Sequence, residues 1–300
     1  MADELPTHPS GVKLDAGEAA IGGDVIGRDK ILQVTNNYYD GQLASAQYTV
    51  MASTSTPGLI IFVIDTGSHA QRLVDQRPVL EVVKSAIDAS LRELVFRSTK
   101  GSRVSDRYHV GCWTYGREIL NLLDGIKPLS QVLQVGFPTL QVQPGESKVN
   151  LYRAFRVVEQ ILTQSIRTFE NSPAPLICHV ACGEYGGRDP GPVAARIREM
   201  GVADGNVLIE NVLIDEGAWL IPVTQTDDWT GTRDPGELAT AYARELYQMA
   251  SPMPEQYQRY AHELGYNLGS KVRLLFPGTP PELMSLGFSL PAATAVGARR

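Results

Sequence analysis

The sequence lacks most of the features that assign a chain to a specialised class. Three cysteines in 300 residues are too few, and odd in number, for a disulfide framework. No apolar stretch is long enough to cross a bilayer, and the N-terminal residues have neither the basic start nor the apolar core of a secretory signal. A net charge of -6 provides no basic surplus for nucleic acid. We therefore expect a cytoplasmic protein that binds neither membranes nor nucleic acid.

The first part of the chain is polar and rich in glycine. Residues 1–20 have the composition of a flexible segment. In residues 21–39, glycines separate short apolar pairs, which is typical of tight turns between very short strands. This pattern resembles a glycine-rich element found beside bacterial signalling and conflict-system modules. It predicts either a hairpin packed on the domain or a segment for docking or self-association. With a linker at 41–57, residues 1–56 are assigned to a flexible N-terminus that carries this element.

The most informative stretch is an apolar run that ends in an acidic residue. Residues 59–64 are Leu-Ile-Ile-Phe-Val-Ile, and they predict a strand buried on both faces. Asp65, Thr66, Gly67 and Ser68 follow at once. In open α/β sheets, ligands bind at the carboxyl ends of the strands. The sequence therefore places Asp65 at a ligand-binding edge.

Strands and helices alternate after this run, each marked by a short apolar run or by apolar residues at helical spacing. Further strands are predicted at 108–115, 175–182, 207–214 and 219–223, helices at 72–97, 151–166, 193–200 and 235–250, and a long loop at 124–148. Such alternation implies parallel crossovers, so we predict an α/β fold with a doubly wound, mostly parallel sheet flanked by helices. The domain is expected at 57–250, with a C-terminal extension at 251–290 packed on it and a disordered tail at 291–300.

Two families share the loop that begins at Asp65. Asp-Thr-Gly-Ser after an apolar strand resembles the signature of aspartic proteases, which need two such loops because two carboxylates share one proton. The nearest second loop is 214–217, so a homodimer would have to supply it. A strand ending in Asp-Thr, followed by a long helix and by alternating elements, resembles the von Willebrand factor A (vWA) domain over residues 57–250. We favour the vWA interpretation and keep the homodimeric protease as an alternative.

The vWA resemblance implies a metal site, of which this sequence keeps only a part. The family binds a divalent cation through Asp-x-Ser-x-Ser on the first loop, a threonine on the second and an aspartate on the third. Asp65 matches the first aspartate, and Ser68 lies one position from a serine site. One reliable carboxylate does not bind Mg²⁺ tightly. We predict a degenerate site at Asp65 and Ser68, weak Mg²⁺ binding at most, no other cofactor, and Asp65 as the cap of the following turn. The remaining ligand positions hold Gly67, His69, Val149 and Cys182.

Two further groups of reactive side chains have simpler structural explanations. Cys178, His179 and Cys182 fall in one predicted strand, where His179 faces away from both cysteines, so the three do not converge on zinc. The acidic, hydroxyl and imidazole groups of the first loop lie too close together on one turn for a hydrolytic triad. We therefore predict no enzymatic activity.

The loops at the carboxyl ends of the predicted strands are free of core packing and converge on one edge. We interpret the chain as a non-catalytic vWA-like module for protein–protein interaction, with another protein as its partner. The resemblance further suggests a bacterial multi-component signalling or defence-type system. The alternative is a vWA domain that binds its ligand through Mg²⁺. The candidate residues of the binding face are Thr66, Gly67, His69, Asn150, Glu184, Arg188 and Asp189.

Overall fold

The computed structural model describes residues 48–293 except 75, 144, 146, 147, 227 and 228. The predictions for the glycine-rich element at 21–39, including its self-association, and for the last part of the tail, 294–300, fall outside these residues. Within the described part of the chain, no helix is both long and apolar enough to cross a membrane.

A seven-stranded sheet lies at the centre of the fold, with helices on both faces. Its strands are β1 (Gly58–Asp65), β2 (Tyr108–Tyr115), β3 (Ile119–Asn121), β4 (Lys127–Pro128), β5 (Leu176–Ala181), β6 (Leu208–Leu213) and β7 (Leu275–Pro277). The helices are α1 (Val79–Ser98), α2 (Leu129–Val135), α3 (Leu151–Ser165), α4 (Gly191–Glu199), α5 (Ala241–Met249), α6 (Glu255–Glu263) and α7 (Pro281–Ser289).

The sheet is doubly wound. Five strands run parallel in the order β7-β6-β5-β1-β2, and β3 and β4 pair antiparallel with the outer edge of β2. This order confirms the predicted α/β fold class. Strand β2 lies on one side of β1, and β5, β6 and β7 are added on its other side, so the switch point of the strand order lies between β1 and β5. In such sheets the ligand crevice lies at the carboxyl ends of the two strands at the switch point.

Strand β1 is buried along its whole length because helices cover both of its faces. Its even-numbered residues from Ile60 to Ile64 pack into a core with apolar side chains of α1, α2, α6 and α7. Its odd-numbered residues from Leu59 to Val63 pack into a second core with side chains of α3, α4 and α5. Both faces are therefore apolar, which is why the strand shows a continuous apolar run in the sequence.

The helix predicted to start at residue 72 begins seven residues later. A short antiparallel hairpin, Leu73–Val74 with Arg77–Pro78, comes first, and α1 starts at Val79. Pro78 lacks an N–H group and holds the preceding residue in an extended conformation, so the helix cannot extend back through it. The spacing of the apolar residues predicted the buried face of the helix correctly, but it did not predict the residue at which the helix begins.

Three further predicted elements are wrong in part, two of them between β6 and α6. The helix predicted at 235–250 is a 3₁₀ turn, Pro235–Glu237, followed by α5, whose first turn is capped by the Thr240 side chain. Between the two, Leu238 has an extended backbone and forms a single bridge with Trp219. That bridge is all that remains of the predicted strand at 219–223. The predicted loop at 124–148 contains β4 and α2.

The segment predicted as a C-terminal extension belongs to the sheet itself. Strand β7 pairs in parallel with β6 from Asn211 to Leu213, and α6 and α7 supply part of one core. Residues 251–290 therefore supply an edge strand of the sheet and two helices. At the other end, Asp204 accepts hydrogen bonds from the backbone N–H groups of Thr49, Val50 and Ala174 at 2.7, 2.7 and 3.0 Å. Residues 48–57, assigned to the linker, are thus attached to the domain.

Candidate functional site

Asp65 ends β1 and is held by backbone groups from two elements at the switch point. Its Oδ1 accepts a hydrogen bond from the Gly67 N–H at 2.8 Å, and its Oδ2 accepts one from the Cys182 N–H, just after β5, at 3.1 Å. The side chain is 1% exposed. Burial raises the pKa of the carboxyl to about 6, although the two N–H donors and the nearby His69 and Arg72 oppose this rise. Asp65 therefore caps its own turn and ties β1 to β5.

Val149 fills the space that a ligand side chain at position 67 would need. A Cβ atom built on Gly67 would lie only 2.3 Å from Cγ1 of Val149 and 3.2 Å from Oδ1 of Asp65. A serine at this position would require Val149 to move. Glycine at 67 and valine at 149 thus belong to one packing arrangement, which closes the crevice beside Asp65.

Thr66 and Gly67 are buried, so neither contributes an exposed side chain to the predicted binding face. The Thr66 backbone N–H and hydroxyl both donate to the Tyr115 carbonyl oxygen, at 2.8 and 3.2 Å. Its carbonyl oxygen accepts from the Gln143 backbone N–H at 2.7 Å. Thr66 therefore joins β1 to β2 and to the loop before α3, which corrects its assignment to the surface.

Arg72 lies across the carboxyl ends of the next two strands and was not identified from the sequence. Its Nη2 donates to the carbonyl oxygens of Cys182, after β5, and of Ile214, after β6, the latter at 2.7 Å. Its Nε donates to the His69 carbonyl oxygen at 3.1 Å. A cationic side chain of the protein itself therefore caps the carbonyl groups at this edge, and its charge opposes the rise that burial causes in the pKa of Asp65.

The third loop packs closely on the first. A Cβ atom on Gly183 would lie 2.5 Å from Cγ of His69, so the imidazole rests against the Gly183 backbone. The next residue, Glu184, accepts a hydrogen bond from Lys148 at 2.9 Å, and both side chains are exposed. Lys148, which the sequence analysis missed, holds the pKa of Glu184 below its usual range. Ser68 is half-buried in the 3₁₀ turn that follows Asp65.

The loops before α3 and α4 complete the edge. Asn150 caps α3, since its Oδ1 accepts from the Arg153 N–H at 2.9 Å, and the Gly186 N–H donates to the Val149 carbonyl oxygen at 2.8 Å. The Arg188 guanidinium lies 5.2 Å from the centre of the Tyr152 ring, and its Nη1 donates to the Tyr152 hydroxyl at 3.0 Å.

The last of the predicted binding-face residues lies at the start of α4. The Asp189 carboxylate accepts from the Gly191 N–H at 2.8 Å, which holds the turn before α4. The structure thus brings His69, Asn150 and Glu184 together on joined loops, and it places Arg188 and Asp189 on the continuation of the same chain segment.

The donor set at this edge fits Mg²⁺ poorly. Mg²⁺ requires near-octahedral oxygen ligands, whereas both Asp65 oxygens accept backbone hydrogen bonds and the neighbouring positions hold a valine and a cysteine. Among the described residues, no cluster of three or more His, Cys, Asp or Glu side chains could hold a metal ion. The three cysteines are buried and unpaired, and burial raises the pKa of each thiol.

Comparisons with known proteins give structural neighbours only. No family model matches the chain, and no curated protein matches it. The matched solved structures include mussel byssus proximal thread matrix protein 1 with a zinc-occupied MIDAS motif, at 12% identity over 82% of this chain and a TM-score of 0.44. They also include BatB from Bacteroides thetaiotaomicron, at 17% identity over 78% of this chain and 98% of that one, with a TM-score of 0.42.

The vWF domain of the pili tip protein Mfa5 from Porphyromonas gingivalis matches at 10% identity, over 70% of this chain and 51% of that one, with a TM-score of 0.33. The chain spans about half the length of the mussel protein, 48%. The assignment of the fold as vWA-like rests on the strand order and on Asp65 at the end of β1, and not on these distant alignments.

Proposed function

We propose that the chain is a non-catalytic interaction module that binds a protein partner, without a metal ion, through the loops at the carboxyl ends of β1, β5 and the strands beside them. One observation carries the proposal. The crevice where doubly wound sheets bind small ligands is filled here by Val149 and spanned by Arg72. What remains is a surface, and a surface suits a macromolecule better than a small molecule or an ion.

Exposed apolar residues on the same side of the sheet support this proposal. The loop that follows β6 carries Leu220 and Ile221 with 64% and 83% of their surface exposed, and Leu73, next to Arg72, is 62% exposed. Exposed large apolar side chains are common at sites of protein interaction. The proposed setting, a bacterial multi-component signalling or defence-type system, is inferred only from the resemblances noted in the sequence.

The geometry of Asp65 disfavours catalysis. In an aspartic protease, two carboxylates face each other and share a proton, but both oxygens of Asp65 already accept hydrogen bonds and the side chain is buried. The Asp65 of a second copy would have to approach a side chain that is only 1% exposed. We therefore expect no peptide cleavage at acidic or neutral pH. Cleavage that a pepstatin-type inhibitor blocks and that Asp65→Asn removes would contradict the proposal.

Calorimetric titration tests metal-independent binding against the alternative of Mg²⁺-dependent binding. We expect Mg²⁺ and Mn²⁺ to bind the parent at best in the millimolar range, about -4 kcal/mol or weaker. A folded variant that restores the family's ligand positions, Gly67→Ser and His69→Ser with Val149→Thr and Cys182→Asp, serves as the positive control. Micromolar affinity in the parent, lost in Asp65→Ala, would establish the alternative.

Charge reversal tests the placement of the binding face. Glu184→Lys and Arg188→Glu change exposed or partly exposed side chains and should leave the melting temperature of the domain nearly unchanged. Each should weaken capture of the partner from an extract of the native host, compared with the parent as bait. Charge reversal of Arg92, which lies on the helix α1, is the matched control and should leave capture unchanged. Equal capture by all four proteins would place the partner elsewhere.

A further inference from the structure

The Arg72 guanidinium is fixed in place by three hydrogen bonds to carbonyl oxygens. These belong to the first loop and to the ends of β5 and β6, so the side chain is held by three separate elements. The residue is nevertheless exposed. An arginine whose orientation is set in advance loses little conformational entropy when it binds a further group.

Two donors of this guanidinium remain unused within the described part of the chain. The Nε–H and the two Nη2–H groups account for the three hydrogen bonds, which leaves the two N–H groups of Nη1. Among the described residues, no carboxylate forms an ion pair with Arg72. Asp65 is near enough to interact with Arg72 electrostatically, but both of its oxygens accept from the backbone.

Exposed apolar side chains lie on two of the chain segments that meet at this cation. Leu73 follows Arg72 directly, and Leu220 and Ile221 lie on the loop that starts from Ile214, whose carbonyl oxygen binds Arg72. All three are more than half exposed. A fixed arginine next to an exposed leucine has the composition of an interface hot spot, where apolar contacts of the partner exclude water from the charged pair.

We propose that Arg72 is the cation that binds the partner, through a carboxylate whose oxygen accepts from Nη1 and whose neighbouring side chains are apolar. This inference rests on the proposed function and names the chemistry of the partner. The protein's own guanidinium provides the positive charge at the switch point, so an Asp or Glu side chain flanked by leucine or isoleucine is the expected occupant. Charge-assisted hydrogen bonds to arginine favour carboxylates over uncharged amides.

Side-chain NMR of the parent protein tests this contact without any change to Arg72. The probes are a blocked tripeptide Leu-Asp-Leu and its Leu-Asn-Leu analogue, titrated while the Nε–H signal of Arg72 is followed. We expect a saturable shift with the acidic peptide and a dissociation constant about tenfold larger, or no shift, with the amide peptide. Equal shifts with both peptides, or no shift with either, would overturn the proposal.

Two variants confirm the site. Arg72→Lys keeps the charge but loses the fixed fork of donors, and it should weaken binding of the acidic peptide. Arg77→Gln, in the same hairpin and exposed, is the matched control and should bind as the parent does. Equal binding by the parent and a folded Arg72→Lys variant would also overturn the proposal. If the charge reversals at Glu184 and Arg188 still weaken partner capture in that case, the proposed function stands and only the role of Arg72 fails.

Discussion

Glu210 and Asn211 are neighbours on β6, and both are completely buried. They face opposite cores, and only Asn211 has hydrogen-bond partners for its side chain. Asn211 takes part in a continuous network. Its Oδ1 lies 2.7 Å from Nδ1 of His179, its Nδ2 donates to the Leu246 carbonyl oxygen at 2.8 Å, and Nε2 of His179 lies 2.6 Å from the Tyr115 hydroxyl. These partners fix the tautomer: Nδ1–H donates to Asn211, and Nε2 accepts from Tyr115.

Glu210 has no such network. Neither of its carboxyl oxygens has a hydrogen-bond partner in the described structure. Gly287 of α7 packs closely on this carboxyl group, since a Cβ atom built on Gly287 would lie only 2.6 Å from Oε1 of Glu210. Burial raises the pKa of Glu210 to about 8 and lowers that of His179 to about 4. Both groups are therefore neutral near pH 6.5. His179 is stabilised by its hydrogen-bond partners, whereas Glu210 avoids a buried charge only by keeping its proton. The two side chains are equally buried, but the first should contribute favourably to stability and the second unfavourably.

Removal of the histidine should have the largest effect. His179→Leu leaves the Tyr115 hydroxyl and the Asn211 carbonyl without partners in the core, which should lower the free energy of unfolding by about 3 kcal/mol. Glu210→Met, which removes a buried polar group that has no partner, should be neutral or stabilising. Urea unfolding of both variants at pH 6.5 checks the comparison, and equal changes in the free energy of unfolding would contradict the difference between the two sites.

Changes in pH should separate the two groups next. The folded state holds a proton on Glu210 that the unfolded chain, with a pKa near 4.5, releases. Stability should therefore fall as the pH rises from about 4.5 to about 8, by at most about 1.4 kcal/mol per unit. Glu210→Gln does not titrate, so its stability relative to the parent should rise between pH 6.5 and 8. A constant difference over this range would contradict the raised pKa.

His179 should show the opposite dependence. Its folded-state pKa of about 4 lies below the ordinary 6.5, so the unfolded chain takes up a proton first as the pH falls. The stability that depends on neutral His179 should be complete above pH 6.5 and should decrease from there towards pH 4. The stability difference between the parent and His179→Leu should therefore shrink on acidification. A difference that stays constant would assign the acid sensitivity to other groups.

The smallest effect concerns the close approach of α7 to Glu210. Gly287→Ala should cost about 1–2 kcal/mol because the new methyl group meets Oε1 of Glu210 at 2.6 Å and the Phe276 ring at 3.3 Å. The loss should be smaller in a Glu210→Ser background, where the first contact is gone. A double-mutant cycle measures this coupling, and additive losses would show that α7 does not pack on the carboxyl group.

The sequence predicted the sheet far better than the site. The strands around Ile61, Val110, Ile177 and Ile209 are each fully or almost fully buried, so their apolar runs identified them within a residue or two of the observed ends. Asp65 was recognised because it ends such a run. Leu220 and Ile221 show the limit of this reasoning. Their apolar side chains led to the prediction of a strand at 219–223, but both residues lie on an exposed loop.

Arg72 could not have been predicted from the sequence. Its hydrogen-bond partners Cys182 and Ile214 are 110 and 142 residues away along the chain. They come within reach only once β5 and β6 stand side by side and the hairpin before α1 has turned the side chain towards them. The role of Val149 is hidden for the same reason, since the pattern of ligand positions shows what valine replaces but not that it fills the space above Gly67.

The edges of the sheet limit how this protein can associate. Strands β3 and β7 each have three residues, and β7 ends in Pro277, which has no N–H group to offer a neighbouring strand. Short edges of this kind are poor templates for strand addition, both for a partner's extended peptide and for the edge-to-edge pairing that leads to fibrils. Backbone pairing is thus an unfavourable route to assembly for the described part of this chain, and recognition must depend on side chains.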